Sequence, residues 1–448
     1  MKLIFKKIVF LIILIYQGLA TILLGQNTVG LILNNDEAFN SYTLFAPIHS
    51  TSTYLINNNG QLVKEWVSSY VPGLSVYLLE NSNLLRSAPI ISDTSNLTGG
   101  FQLFSWDNDL LWEYYFGLQH HDVEALPNGN VLLLTTDIKT ENEAIQAGRD
   151  PLMLLGPGLK SVSIYEINQT NQFNGDIIWE WHAWDHLIQD FDETKMNYGN
   201  IYDNPELIDI NFCQDGFSDW LHTNSIDYNE ELDQIIISNR NTNEIWIIDH
   251  STNSFEASQN TGGNSGKGGS LLFRWGNPIA YEAGTSNDQK LFGQHDAHWI
   301  NINNVLQNSI LIFNNGISRP EGSYSSIEEV ALPVNNSYSY NLMPGQINPI
   351  STNWTYTTAD TFNFFSPRYG SSQRLENGNT FICLSDSGMF FEINNNNDIV
   401  WKYINPVTSN GILYQGDLPE YNTVFKSTKY SENYSGLNNQ DLTPGNPI

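Results

Sequence analysis

The chain has 448 residues, with 48 acidic and 19 basic side chains and a net charge of −29. Hydrophobic residues make up 40% and aromatic ones 12%, enough for a large core, which excludes wholesale disorder. The acidity argues against a nucleic-acid-binding face and against docking on anionic lipid, because both need a basic surface.

From the N-terminus, Lys2, Lys6 and Lys7 precede an apolar run over 8–25, interrupted only at Tyr16 and Gln17. This predicts a secretory signal peptide over residues 1–26, cut near Gly25 and Gln26, with an uncleaved anchor as the alternative. No Cys follows the run, which argues against a lipoprotein anchor. Removing the segment leaves 16 basic against 48 acidic residues, a charge of −32. No other run approaches the roughly 20 apolar residues that span a bilayer. The expected product is exported, periplasmic or extracellular, without stable membrane insertion. Cys213 and Cys383 are the only cysteines, which excludes a disulfide scaffold and a thiolate metal cluster. Whether the two pair is open.

Residues 27–435 show almost no helical periodicity. Short β-branched and aromatic runs alternate with Asn, Asp and Gly turns. One unit recurs: an apolar strand, a polar turn, and a second strand carrying a Trp. It occupies 53–66, 102–112, 163–179, 244–275 and 390–401, with a weaker copy ending at Trp354. Between these units lie tight hairpins such as HHDVEALPNGNVLLL and GSSQRLENGNTFICL. Alternating the two gives four strands per repeat. The shortest Trp spacings, 46 and 47 residues, fit a propeller blade. The expected fold is all-β, a six-bladed β-propeller, with 436–448 as a tail. Strands before Trp66 lack an innermost partner, so a C-terminal strand over 423–430 is expected to join that N-terminal blade and close the ring. A row of sandwich domains is the competing architecture. It leaves the regular alternation unexplained.

Within a blade, the start of the innermost strand and the end of the second strand lie at one axial end. His121, His222 and His295 open three successive innermost strands, so they should converge at the channel mouth. Strand alternation predicts that His121, not its neighbour His120, faces inward. Asp122 and Asp296 should point the opposite way, which makes shared metal ligation poor geometry; no metal or cofactor is expected. Arg240 follows a second strand and returns to the same end; Arg319 holds a comparable place in the next blade. His298 should face away from His295 as a supporting residue. His49, His182, His186 and His250 fall outside the matched positions and are read as structural. The inserts 138–158 and 183–219 belong to the same face as a rim. The Gly/Ser/Asn-rich loop 251–269 belongs to the opposite face and reads as flexible. Three His and an Arg around an axial pocket suit a tetrahedral oxyanion, with one His as nucleophile and others as donors or acid and base. No carboxylate pair dominates, which weakens a glycosidase reading.

The segments HHDVEALPNGN, HTNSIDYNEELDQIIISNRN, GQHDAHW and SPRYGSSQRLENGN together resemble the bacterial arylsulfate sulfotransferases. The resemblance implies a six-bladed propeller that moves a sulfuryl group from a phenolic sulfate ester to a phenolic acceptor, without a nucleotide donor. It implies that His295 is transiently sulfated, and that His121, His222 and Arg240 hold the sulfuryl oxygens and serve proton transfer. His120, Asn224, His298 and Arg319 are then expected to contact substrate. The partners are small molecules and not nucleic acid; natural donor, acceptor and oligomeric state are open. Well-known members carry an N-terminal β-sandwich used for dimer contacts. Only a short stretch precedes the first propeller strands here, so that dimer mode is not expected. The competing readings are a non-catalytic propeller binding sulfated or phenolic glycans, and a quinone-dependent dehydrogenase. The latter needs an acid-rich calcium site that the sequence does not offer.

Overall fold

The computed structural model describes residues 27–90, 99–212, 218–302, 305–333, 340–347, 349–358, 360 and 364–448, with no account of side chains 305–307. The predicted signal peptide and Cys213 lie outside the described residues. Cys383 is buried with a free thiol.

Among the described residues, six antiparallel sheets of four or five strands succeed one another along the chain. Blade 1 orders as Val424–Ser431, Ser41–Pro47, Ser52–Asn57 and Leu62–Val67. Its innermost strand comes from the C-terminal end of the chain, with Ser41 paired to Ser431 and Tyr42 to Tyr430. This is the closure expected from the unpartnered N-terminal strands. The other innermost strands are Val76–Leu78 (blade 2), Gln119–Ala125 (blade 3), Thr223–Asn229 (blade 4), His295–Ile302 (blade 5) and Ser371–Arg374 (blade 6). Gly30–Asn34 adds a fifth strand to the outer edge of blade 6. The end of the chain covers the outer edge of blade 1: Leu62 N–H donates to the Asn446 carbonyl, and Leu437 is buried in that blade's core.

The Trp repeat now has a physical reason. Trp66, Trp112, Trp179, Trp275, Trp354 and Trp401 each lie on the fourth strand of a blade, counted from the channel. Four of them donate an indole N–H across to the turn before the outermost strand of the next blade. Trp66 reaches the Ser105 carbonyl at 3.0 Å, Trp179 the Thr252 hydroxyl at 3.2 Å, Trp275 the Pro349 carbonyl at 2.9 Å and Trp401 the Asn58 carbonyl at 2.9 Å. The ring fills the seam between blades while its N–H finds a partner, so one residue type serves packing and registration together.

The insert expected over 138–158 is partly strand. Ile138 pairs with Lys160 and Thr140 with Gly158, so blade 3 projects beyond its neighbours at the channel mouth. A short helix, Glu141–Gln146, begins there on a Thr140–Glu143 capping box. The insert over 183–219 packs against it. Buried Arg149 donates to the Ile210 and Met153 carbonyls, and Asn211 Nδ2 donates to the Gly148 carbonyl at 3.0 Å. The loop 251–269, read from composition as flexible, is instead folded. It holds the helix Ser254–Ala257 with its own Asn253–Glu256 capping box, and its Gly269 carbonyl accepts the Trp181 indole N–H at 2.8 Å. Its glycines allow left-handed backbone at Gly262, Gly263, Gly266 and Gly268, which composition alone cannot separate from flexibility.

All six innermost strands meet in one charged hub across the channel. Asp122 Oδ1 accepts the Tyr77 hydroxyl at 2.6 Å, and its Oδ2 accepts Ile226 N–H at 3.3 Å. Asp296 Oδ2 accepts Ser372 N–H at 2.9 Å, and its Oδ1 lies 2.8 Å from Lys426 Nζ. Lys426 Nζ also donates to the Tyr77 hydroxyl at 3.1 Å. Burial works against the charge on Lys426, but Asp296, Tyr77 and Asp122 outweigh it and hold the ammonium well above its ordinary pKa.

Candidate active site

The histidines sit at the mouth end of this hub. His121 and His222 meet edge to face, with ring centroids 5.0 Å apart. Phe425, from the closing strand, lies between His121 and His295, at 6.0 and 6.3 Å from their centroids. His295 is 2% exposed. Burial, together with Arg240 and His222, pushes its pKa down to about 3, against an opposing hydrogen bond to Asn315. Burial and the surrounding His222, His120, His295 and Arg240 push His121 well below the ordinary imidazole value. The four residues read from the sequence therefore share one electrostatic site, built from blades 3, 4 and 5.

The expectation that alternation separates His120 from His121 does not hold. Their Nδ1 atoms are 2.9 Å apart. The reason is backbone conformation. His121 (φ 59°), His222 (φ 47°) and Asp296 (φ 54°) are all left-handed, which breaks the two-residue period at each strand start. The pairing register slips at the same places, between Leu133 and Thr135, Thr223 and Ser225, and His295 and His298. Such bulges re-aim side chains. Burial, with His222, lowers the His120 pKa to about 4. The mouth thus holds two more rings besides His295 that resist protonation, both partly buried. Asp122 and Asp296 turn away from the histidines into the hub.

Besides Phe425, three residues not singled out from the sequence join the site. Asp219 Oδ2 is 2.7 Å from His222 Nδ1. Burial opposes ionisation of Asp219, but His222 outweighs it and holds the carboxyl below its usual value. Asn315 Oδ1 is 2.7 Å from His295 Nδ1. The peptide N–H of Tyr369, itself left-handed at φ 59°, points at His295 Nε2 from 3.3 Å. One signal could have found Asn315. It is the first residue after the second strand of blade 5, as Arg240 is after that of blade 4.

The other expected contact residues lie elsewhere. Arg319, four residues beyond that matched position, is engaged within its own loop. Its Nε donates to the Tyr324 carbonyl at 3.2 Å, and its guanidinium stacks 4.5 Å from the Tyr324 ring. Asn224 is fully buried between blades 4 and 5, with Nδ2 donating to the Gln294 carbonyl at 2.8 Å. His298 lies further along its strand, its Nδ1 3.0 Å from the Asp296 carbonyl. His186 stacks on Trp181 and His250 is clamped by Asp233 and Glu166, so both stay outside the mouth. Among the described residues, no group of three or more His, Cys, Asp or Glu is arranged to hold a metal ion. A separate cavity of about 350 Å³ is lined by Glu329, Trp354, Arg374 and asparagines. Its arginine is already paired to Glu329 at 2.6 Å and stacked 4.4 Å from Trp354, so it offers no cation to a ligand.

Comparison with known proteins bears on these residues. Among solved structures, a protein of unknown function from Bacteroides caccae is 12% identical, with 88% of this chain and 100% of that chain covered and a TM-score of 0.44. A streptogramin B lyase is 10% identical, with 91% and 96% covered and a TM-score of 0.39. The virginiamycin B lyase of Staphylococcus aureus is 8% identical, with 85% and 89% covered and a TM-score of 0.36. Likenesses this distant carry no argument about the site. No curated protein matches the chain. The family model described as Arylsulfotransferase (ASST) matches residues 108–434, nearly three quarters of the sequence and every mouth residue named above. The chain belongs to the arylsulfotransferase family.

Proposed function

We propose that this protein is an exported arylsulfate sulfotransferase working by two-step exchange through a sulfated His295. The observation that carries the reading is the meeting of His121, His222, His295 and Arg240 at one mouth of the channel. A sulfate monoester carries its charge on peripheral oxygens. Arg240 supplies a permanent planar donor there, and the neutral rings add donors without adding repulsion between cations. The surrounding protein is strongly acidic, so the local cation is what makes a single small anion acceptable where a polyanion is not.

In the first step neutral His295 attacks sulfur. The N–S bond forms as the bond from sulfur to the phenolic oxygen breaks, and the electron pair leaves with that oxygen. A phenol has a pKa near 10, so it departs readily once protonated or hydrogen-bonded. His222 is the better proton carrier of the group. Its Nδ1 is held by the Asp219 carboxylate, which orients the ring for proton transfer. The acceptor phenol then returns its proton to His222 and takes the sulfuryl group from His295. The wall formed by the two packed inserts stands beside this mouth and supplies Asp219 directly, so substrate choice is expected to vary with that wall.

The test is nitrophenolate release from p-nitrophenyl sulfate in the presence of a phenol. Wild type should turn over, and His295→Asn should fall to background, about 10⁴-fold or more. Full activity in His295→Asn would contradict the nucleophile. Absence of turnover with any aryl sulfate, together with retention on a sulfated polysaccharide, would favour glycan binding instead. Export is tested by the mass of the protein recovered outside the cytoplasm: a product starting near Gln26 supports it, and a retained leader contradicts it.

A further inference from the structure

We propose that Asn315 is a positioning residue that fixes the tautomer of His295 and so makes Nε2 the reacting atom, an inference that rests on the sulfotransferase reading. Its side chain is fully buried, so its partners are protein atoms. Nδ2 stands 2.7 Å from the Ser366 carbonyl and 2.7 Å from the Tyr369 carbonyl. Carbonyl oxygens only accept, so they must face the NH₂ end of the amide. That leaves Oδ1 towards His295, 2.7 Å from Nδ1. An amide oxygen also only accepts, so Nδ1 must carry the hydrogen. Burial and the neighbouring Arg240 keep the ring neutral, and a neutral imidazole has one N–H. The lone pair is therefore on Nε2. That atom faces the peptide N–H of Tyr369, 3.3 Å away.

The chemical type of the partner matters as much as its position. A carboxylate at Nδ1 would favour the protonated ring. A neutral amide selects the tautomer without that penalty, so His295 remains a lone-pair donor. Two histidines of one site are thus given different work by Asn and Asp. On attack the ring becomes an imidazolium with Nδ1–H retained. No proton need leave it, and Asn315 Oδ1 takes the strengthened hydrogen bond. The same amide anchors the Tyr369 carbonyl, which holds that residue's N–H beside Nε2, ready to pass to a sulfuryl oxygen.

The test uses protein labelled with ¹⁵N in histidine only. The His295 resonances are identified by their loss in His295→Asn. Wild type at neutral pH should show Nδ1 protonated and Nε2 unprotonated; an Nε2–H signal overturns the inference, whatever the variants do. Asn315→Leu should lower kcat about 10–100-fold with little change in KM, and should populate both tautomers of His295. Unchanged kcat in a folded Asn315→Leu protein, while His295→Asn is inactive, overturns the inference and leaves the sulfotransferase reading intact. If wild type turns over no aryl sulfate, that reading fails, and the ¹⁵N spectrum still decides the tautomer. Should Asn315→Leu not fold, the wild-type spectrum alone decides.

Discussion

Half of the propeller brings chemistry to the channel and the other half brings closure. Blades 3, 4 and 5 each present a histidine at the mouth, each with a left-handed residue and a register slip at the start of the innermost strand. Blades 2 and 6 run their innermost strands in register. They and blade 1 supply Tyr77, Ser372 and Lys426, which bind the aspartates that follow His121 and His295. Left-handed conformations of ordinary residues cost about 1–3 kcal/mol each and persist only where the surroundings over-determine them. Blades 1, 2 and 6 therefore restrain the left-handed strand starts of blades 3, 4 and 5. Lys426 is the central restraint, because it comes from the strand that closes the ring.

This division can be broken at several points. The largest effect is expected from Lys426→Met. It removes the cation and leaves Asp296 and Asp122 buried without it, which should lower unfolding free energy by about 3–5 kcal/mol. Chemical denaturation at neutral pH measures it. A loss within experimental error would show that the two halves are independent. Arg240→Met should leave the fold intact and lower kcat/KM about 10²–10³-fold, the usual effect of losing one stabiliser of developing charge. Steady-state kinetics with an aryl sulfate checks it, and an effect confined to stability would place Arg240 in the scaffold.

A third expectation concerns a seam away from the mouth. His250 lies 2.7 Å from Asp233 and 3.1 Å from Glu166 of blade 3. Burial opposes its charge, but these carboxylates outweigh it and raise its pKa to about 9. The folded value lies above the unfolded one of about 6.5. The contribution is therefore fully present below about pH 6.5 and is lost as pH rises through about 9. It amounts to at most about 3 kcal/mol, and His250→Gln should flatten the pH dependence of the denaturation midpoint over that interval. The smallest effect is expected from Asp219→Asn, which should lower kcat about 10–100-fold with the unfolding midpoint little changed. Loss of stability without loss of kcat would make the contact structural.

Much of this was legible in the sequence, and the reasons differ by residue. The Trp series revealed blade number because each ring fills the same seam, a repeat that survives large insertions. The mouth histidines were legible because each opens a strand at a matched position. His120 was misjudged because a two-residue period assumes regular strand, and the left-handed His121 removes it. Arg319 was preferred to Asn315 because charge was the criterion, while position relative to the strand end was the better guide. Lys426, Tyr369 and Asp219 were invisible for a different reason. Their roles depend on which side chains meet across six separate strands and two packed inserts, and no local pattern records that.

Between donor and acceptor, the sulfuryl group is expected to rest on His295. Rapid quenching with an aryl sulfate in the absence of acceptor, followed by mass analysis under conditions that keep an N–S bond, tests it most directly. The expected result is a protein heavier by one sulfuryl group, with the addition on the peptide containing His295, lost when a phenol is supplied and absent in His295→Asn. Turnover without any protein-bound sulfuryl group, or the group found on another residue, would contradict it.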